Sequence, residues 1–136
     1  MSIMVDLGVL SYSFIHKPLL VGGKSMEYYG LRKAGSDIDL ILHLEDHENL
    51  KRMYPNHVKD LCGDIGICEF GFEMWNHICN FDYEHLGEKA IEEPEFFVIS
   101  LEKALLLKAI AMQIPKYHRD LELLARLVLK KAYGKA

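Results

Sequence analysis

Residues 37–44 read Asp37-Ile38-Asp39-Leu40-Ile41-Leu42-His43-Leu44. That alternation predicts a strand with one wholly apolar face, Ile38, Leu40, Leu42 and Leu44, and an opposite face that opens with two aspartates. Side chains two residues apart on a strand point the same way, so Asp37 and Asp39 share a side. Upstream, Leu19-Leu20-Val21 is a short apolar strand after Pro18, and Gly22-Gly23 ends it in a conformation that bulkier residues avoid. Residues 25–29 then read as a brief helix stopped by Gly30. A glycine turn ahead of paired aspartates outlines a site in which backbone donors face a phosphate and carboxylates hold a metal.

The rest of the chain continues in alternating strands and helices. Residues 45–61 are polar and helix-compatible, and Pro55 divides them into two helices or a helix and a turn. Gly63-Asp64-Ile65-Gly66 predicts a reversal, and residues 67–78 a strand distorted at Gly71. Asp82 caps a helix running through Leu86 to Ile91, with Glu84 in its positive first turn, and Pro94 closes the unit. Residues 96–99 form another short strand, and Ser100 caps a helix from Leu101 with an apolar stripe of Leu101, Ala104, Leu105 and Met112 interrupted by Lys108. Pro115 breaks it. A last helix, from Arg119 to about Ala132, turns Leu121, Leu124, Ala125 and Val128 to a core. Residues 1–14 fit either an early helix or an edge strand, with Gly8 weakening the helix.

A chain of 136 residues with 50% hydrophobic composition holds one ordinary domain, so the expectation is a single minimal unit spanning 1–136, with tail helices at about 101–132 packed on it. The expected class is α/β, in an α+β variant. Sixteen Lys and Arg against 20 Asp and Glu give a formal charge of -4, so net charge supplies no field drawing the protein to nucleic acid, although a local basic cleft stays open. Cys62, Cys68 and Cys79 follow no disulfide or metal-knuckle spacing. With no charged leader and long apolar run, neither secretion nor membrane spanning is predicted, and the cytoplasm is the expected location. The phosphate loop Gly-x-x-x-x-Gly-Lys-Ser/Thr and the dinucleotide turn Gly-x-Gly-x-x-Gly are both missing, which argues against a generic phosphohydrolase and a dinucleotide enzyme.

Two aspartates on one face concentrate negative charge unless a cation binds or protons are retained. Magnesium, with its compact oxygen coordination shared between carboxylates and substrate phosphates, resolves that cost. A third carboxylate would complete the set. If residues 68–75 form a regular strand, Glu69, Gly71 and Glu73 share a face and Gly71 leaves room for a ligand; periodicity does not choose between the glutamates. His77, His85 and His118 form no compact zinc-ligand arrangement. Tyr28 and Tyr29 either flank a base or make core contacts, the commoner use of helical aromatics.

Leu20-Val21-Gly22-Gly23-Lys24-Ser25, Gly35-Ser36-Asp37-Ile38-Asp39-Leu40 and Phe72-Glu73-Met74-Trp75 together resemble the nucleotidyltransferase superfamily. Its pattern is a Gly-Gly or Gly-Ser turn, an Asp-x-Asp strand and a third acid on a neighbouring strand. Phe81-Asp82-Tyr83-Glu84-His85-Leu86 and the helix from Ser100 to Lys108 are similar to regions of small bacterial members, related to antibiotic nucleotidyltransferases and the abortive-infection toxin group. The resemblance runs from about Leu19 to Leu129 and implies a mixed sheet flanked by helices.

It implies magnesium on Asp37, Asp39 and Glu73, with Glu69 in reserve. Members usually carry aspartate at the third position, so glutamate here departs from the pattern. Gly22, Gly23 and Ser25 correspond to the nucleotide-phosphate loop, against a plain reading of a tight turn with a serine cap. Arg32 would neutralise a triphosphate or simply face water, and Lys108 would reach a phosphate or snorkel to the rim. Lys116, four residues before Asp120, is a further phosphate candidate or one half of a helical ion pair. The implied reaction moves a nucleoside monophosphate from a nucleoside triphosphate, with ATP expected, to an acceptor hydroxyl. The other reading is a non-catalytic regulatory or antitoxin-like protein of the same fold. So short a chain also suggests a homodimer or a protein partner completing the cleft.

Overall fold

Three buried residues, Leu19, Leu20 and Val21, make β1 (Leu19–Val21) the inner strand against which the sheet is laid. The computed structural model describes residues 5–111 and 113–134. They fall in two compact units, Met1–Ile99 and Ser100–Ala136.

In the first unit α1 (Gly22–Tyr28) follows β1 directly, and β2 (Ile38–Ile41) returns antiparallel to β1, with Leu20 opposite Leu40 and Val21 opposite Asp39. α2 (Leu44–Met53) begins at His43, whose Nδ1 accepts the Glu45 amide at 3.1 Å. Glu45 and Asp46 sit in its first turn and Lys51 and Arg52 in its last, the arrangement the helix dipole favours. A 3-10 turn at Pro55–His57 leads into a meander of β3 (Val58–Leu61), β4 (Asp64–Glu69) and β5 (Phe72–Trp75). β6 (His77–Ile78) and β7 (Phe81–Asp82) pair only with each other, and Asp82 caps the single turn α3 (Tyr83–Leu86) by accepting the His85 amide. β8 (Ile91–Glu92) and β9 (Phe97–Val98) complete the sheet, whose order is β3-β4-β5-β2-β1-β9-β8. β1 runs parallel to β9 and β2 parallel to β5. The result is a mixed α/β fold with a multi-strand sheet flanked by helices.

Register assigns the two faces. Leu20, Leu40, Met74, Ile67 and Val98 lie in one row and pack with Leu7, Leu10, Leu42 and Leu50. Full burial of each leucine contributes about 1.5–3 kcal/mol, so this row anchors the strands. The opposite face carries two cross-strand rungs. One is Val21, Asp39, Glu73 and Cys68; the next is Ile41, Trp75, Gly66 and Lys59. The polar rung therefore crosses the middle of the sheet on the side away from the leucine core.

Several expectations need correction. The strand expected over residues 37–44 stops at Ile41, and Leu44, 64% exposed, opens α2 instead of joining the apolar face. Residues 58–61, expected in helix or turn, form edge strand β3; all four are exposed, so they carry no burial pattern. The strand expected over 67–78 is broken by a reversal at Phe70 and Gly71, and the earlier reversal falls at Cys62 and Gly63. The helix expected to reach Ile91 is one turn long. The amino-terminal segment, read as helix or edge strand, forms a 3-10 turn at Leu7–Leu10.

In the second unit the Ser100 hydroxyl accepts the Lys103 amide at 3.1 Å, capping α4 (Leu101–Ile110). A 3-10 turn at Pro115–Tyr117 leads to α5 (His118–Tyr133), which packs on α4 and buries Leu124 and Asp120. Met112, assigned from sequence to the apolar stripe, lies outside the described residues. Among the described residues no helix is long and apolar enough to cross a membrane.

Candidate functional site

Gly22 sits at the junction of β1 and α1 with φ of 65°, and a Cβ built there would lie 2.4 Å from Asp39 Oδ2. The glycine turn and the second aspartate are thus in direct contact, and no larger residue fits between them. Gly23 lies inside α1, where a Cβ would meet Ala34 at 3.6 Å and Arg32 Nη1 at 3.7 Å. Arg32 therefore folds back beside the turn, and Nη1 also donates to the Lys33 carbonyl.

Ser25 departs from both sequence readings. It is buried within α1 and its hydroxyl donates to the Gly22 carbonyl at 2.7 Å, so it neither caps the helix nor faces outward. Tyr28 and Tyr29 take the core role: their hydroxyls donate to the Glu93 carboxylate and the Ile99 carbonyl, and both pack on the leucine core.

Asp39 and Glu73 are register partners on the parallel strands β2 and β5, and Cys68 stands across from Glu73 on β4. Asp37 lies just before β2, where the Ile38 amide donates to the Gly71 carbonyl. The reversal at Phe70 and Gly71 overturns the regular strand that would have aligned Glu69 with Glu73. The two glutamates lie on opposite arms of a hairpin, and Glu69 bonds the His57 ring. Both still line an open pocket of about 290 Å³, together with Asp37, His57, Cys68 and Phe70. Asp39, against Gly22, does not line this pocket, and Asp37, Asp39 and Glu73 do not bring three ligating atoms within 4.8 Å of one another.

The charges in this rung act on one another and on Lys59 of the next. The Lys59 ammonium is 3.2 Å from Glu73 Oε1 and 5.3 Å from the centre of the Trp75 ring. Its hydrogen bond with Glu73 raises the lysine pKa, against a smaller opposing effect of burial. Burial pushes the Cys68 thiol up; Lys59 opposes this, while Glu73, Asp37 and Asp39 add to it. Trp75 reaches this position because β4 carries Gly66 beneath it, where a Cβ would come within 2.8 Å of the indole. Lys59, His57 and Cys68 were not singled out from sequence. Val58-Lys59-Asp60-Leu61 does not alternate and all four residues are exposed, so no local pattern marked Lys59.

Lys108 and Lys116 belong to the second unit. The Lys108 ammonium is 3.3 Å from Asp120 Oδ2 and 4.2 Å from the Tyr117 ring centre. It is thus held by a buried acid and does not snorkel to the rim. Lys116 lies over the same ring at 5.0 Å, so the Asp120 contact expected from the four-residue spacing is made by Lys108.

A second cluster was not expected. His16, His43 and Glu45 bring ligating atoms within 4.8 Å of one another and could hold a metal ion. Its members are remote in sequence except for the pair His43 and Glu45, so spacing alone carried little signal. No family model, curated protein or solved structure matches this chain.

Proposed function

We propose that the first unit binds a magnesium-complexed nucleoside triphosphate, ATP expected, and transfers its nucleoside monophosphate to an acceptor hydroxyl. The observation that carries this reading is the run from Gly22 to Asp39 to Glu73, with Asp37 lining the same pocket as Glu73. It supports the nucleotidyltransferase resemblance because the Gly22 turn, Asp39 and Glu73, separated by up to 51 residues in sequence, lie along one sheet face; the oxygens of Asp37, Asp39 and Glu73 are not all within 4.8 Å of one another and would draw together on the ion.

Asp37, Asp39 and Glu73 supply the hard oxygen donors that magnesium prefers. When bound, the ion would neutralise charge on the α phosphate and on the departing pyrophosphate. Arg32, beside Gly23, adds a cation on the turn side. The pocket lined by Glu69, Phe70 and Glu73 offers the acceptor a place next to the acids, and Glu73 is positioned to align its hydroxyl. Transfer of label from an α-phosphate-labelled triphosphate tests the reading. Wild type is expected to label an acceptor, and Asp39→Asn to reduce transfer about a hundredfold or more while the domain stays folded. Equal transfer by both proteins would refute it.

One observation favours a second reading, a non-catalytic regulatory or antitoxin-like partner of this fold. Lys59 already neutralises Glu73 at 3.2 Å, which lets the rung persist without a metal. A folded protein that ignores magnesium and triphosphate yet forms a stable hetero-complex would select that alternative.

A further inference from the structure

Three segments far apart in the chain meet at the start of α2: His16, His43 with Glu45, and Glu84 of α3. His16 Nε2 is 2.9 Å from Glu45 Oε1, His43 Nδ1 is 3.9 Å from the same oxygen, and His43 Nε2 is 3.5 Å from Glu84 Oε1. We propose that this cluster is a zinc-class divalent metal site, with His16, His43 Nδ1 and Glu45 as ligands and Glu84, at the far edge of the His43 ring, orienting that imidazole through Nε2.

The donor set decides the class of ion. Two imidazoles with a carboxylate suit zinc and similar borderline metals, whereas magnesium takes all-oxygen surroundings. The backbone is already in place. The buried Asp46 carboxylate accepts the Tyr12 hydroxyl at 2.6 Å and the Ile15 and His16 amides at 2.9 Å, which pins His16 against α2. The Tyr83 hydroxyl donates to the Lys17 carbonyl at 2.6 Å, tying α3 to the same segment. Such outer contacts are what orient metal ligands.

The two imidazoles lie face to face, 3.6 Å between centres and 19° between planes. Chelation would take the His43 Nδ1 lone pair from the Glu45 amide and turn the His16 ring about its Cα–Cβ and Cβ–Cγ bonds so that both lone pairs converge. With His16 36% and His43 23% exposed, that turn meets no packed core. The metal would clamp the segment before β1 to α2 and α3, a role independent of nucleotide chemistry.

Zinc or cobalt(II) alone is titrated into the full chain by calorimetry, with cobalt also followed by its visible absorption. The expected result is one equivalent bound in wild type and in Asp39→Asn, undisplaced by excess magnesium, and at least tenfold weaker binding in His16→Gln and Glu84→Gln. His43 caps α2, so His16→Gln, whose side chain caps nothing, decides the matter if His43→Gln fails to fold. The proposal is overturned if wild type takes up no stoichiometric metal, if His16→Gln binds as wild type, or if Asp39→Asn abolishes uptake.

Discussion

Asp39 and Glu73 stand side by side at one register position of the parallel strands β2 and β5. Like charges directly opposite one another on paired strands are destabilising. Lys59, 3.2 Å from Glu73 Oε1, offsets that repulsion on one side, and the Gly22 turn abuts Asp39 on the other.

The Gly22 junction gives the most direct stability prediction. Gly22→Ala forces a side chain into the left-handed region and onto the Asp39 carboxylate, so it should destabilise the protein by about 1–3 kcal/mol. Gly23→Ala meets only ordinary contacts within a helix and should be neutral or stabilising by up to about 1 kcal/mol. Urea unfolding of the two variants reads the difference. Equal midpoints would show that the Gly22 contact is not maintained in solution.

Lys59 tests which functional reading holds. As a partly exposed ion pair its attraction for Glu73 is worth about 0.5–1 kcal/mol. Lys59→Met should therefore tighten magnesium–triphosphate binding roughly two- to fivefold if the acids take up the ion. Calorimetry that finds no triphosphate binding in either protein would favour the non-catalytic partner.

His47 predicts the response to acid. It is 2% exposed; Nε2 donates to the Ile65 carbonyl at 3.0 Å, and Nδ1 is buried without a hydrogen-bond partner. Burial holds its pKa below the ordinary histidine value. Because the folded value lies below the unfolded one, the unfolded chain binds more protons between them. The contribution is present above pH of about 6.5 and is lost as pH falls towards the folded value, at no more than about 1.4 kcal/mol per pH unit. His47→Gln should flatten that slope in urea unfolding between about pH 7 and pH 5. An unchanged slope would assign the acid sensitivity to other groups.

What the sequence revealed, and what it concealed, follows from the physics of each segment. Alternation placed β2, Ser100 announced the cap of α4, and the period of Leu121 and Leu124 marked α5, because each signal is local and matches burial. The hairpins were harder to read. β3 to β4, β4 to β5 and β6 to β7 are joined by two-residue loops, Cys62-Gly63, Phe70-Gly71 and Cys79-Asn80, all with positive φ at both residues. That is the twist-matched hairpin geometry, but only its second residues carry the usual Gly or Asn signature. Reading through Phe70 as strand set Glu69 and Glu73 on one face. The true reversal instead places Glu73 next to Asp39 and gives Glu69 to His57. The His16 and His43 cluster depends on three long-range contacts, which no local pattern encodes.

The central claim is that Asp37, Asp39 and Glu73 jointly hold the metal of a bound triphosphate. Crystals grown with manganese, as a magnesium substitute with an anomalous signal, and a nonhydrolysable ATP analogue measure this directly. The account predicts an anomalous peak within coordination distance of all three carboxylates, about 2.0–2.4 Å, with the phosphates at the Gly22 turn. Manganese and nucleotide bound elsewhere, or a Lys59–Glu73 pair unchanged with no peak beside it, would contradict it.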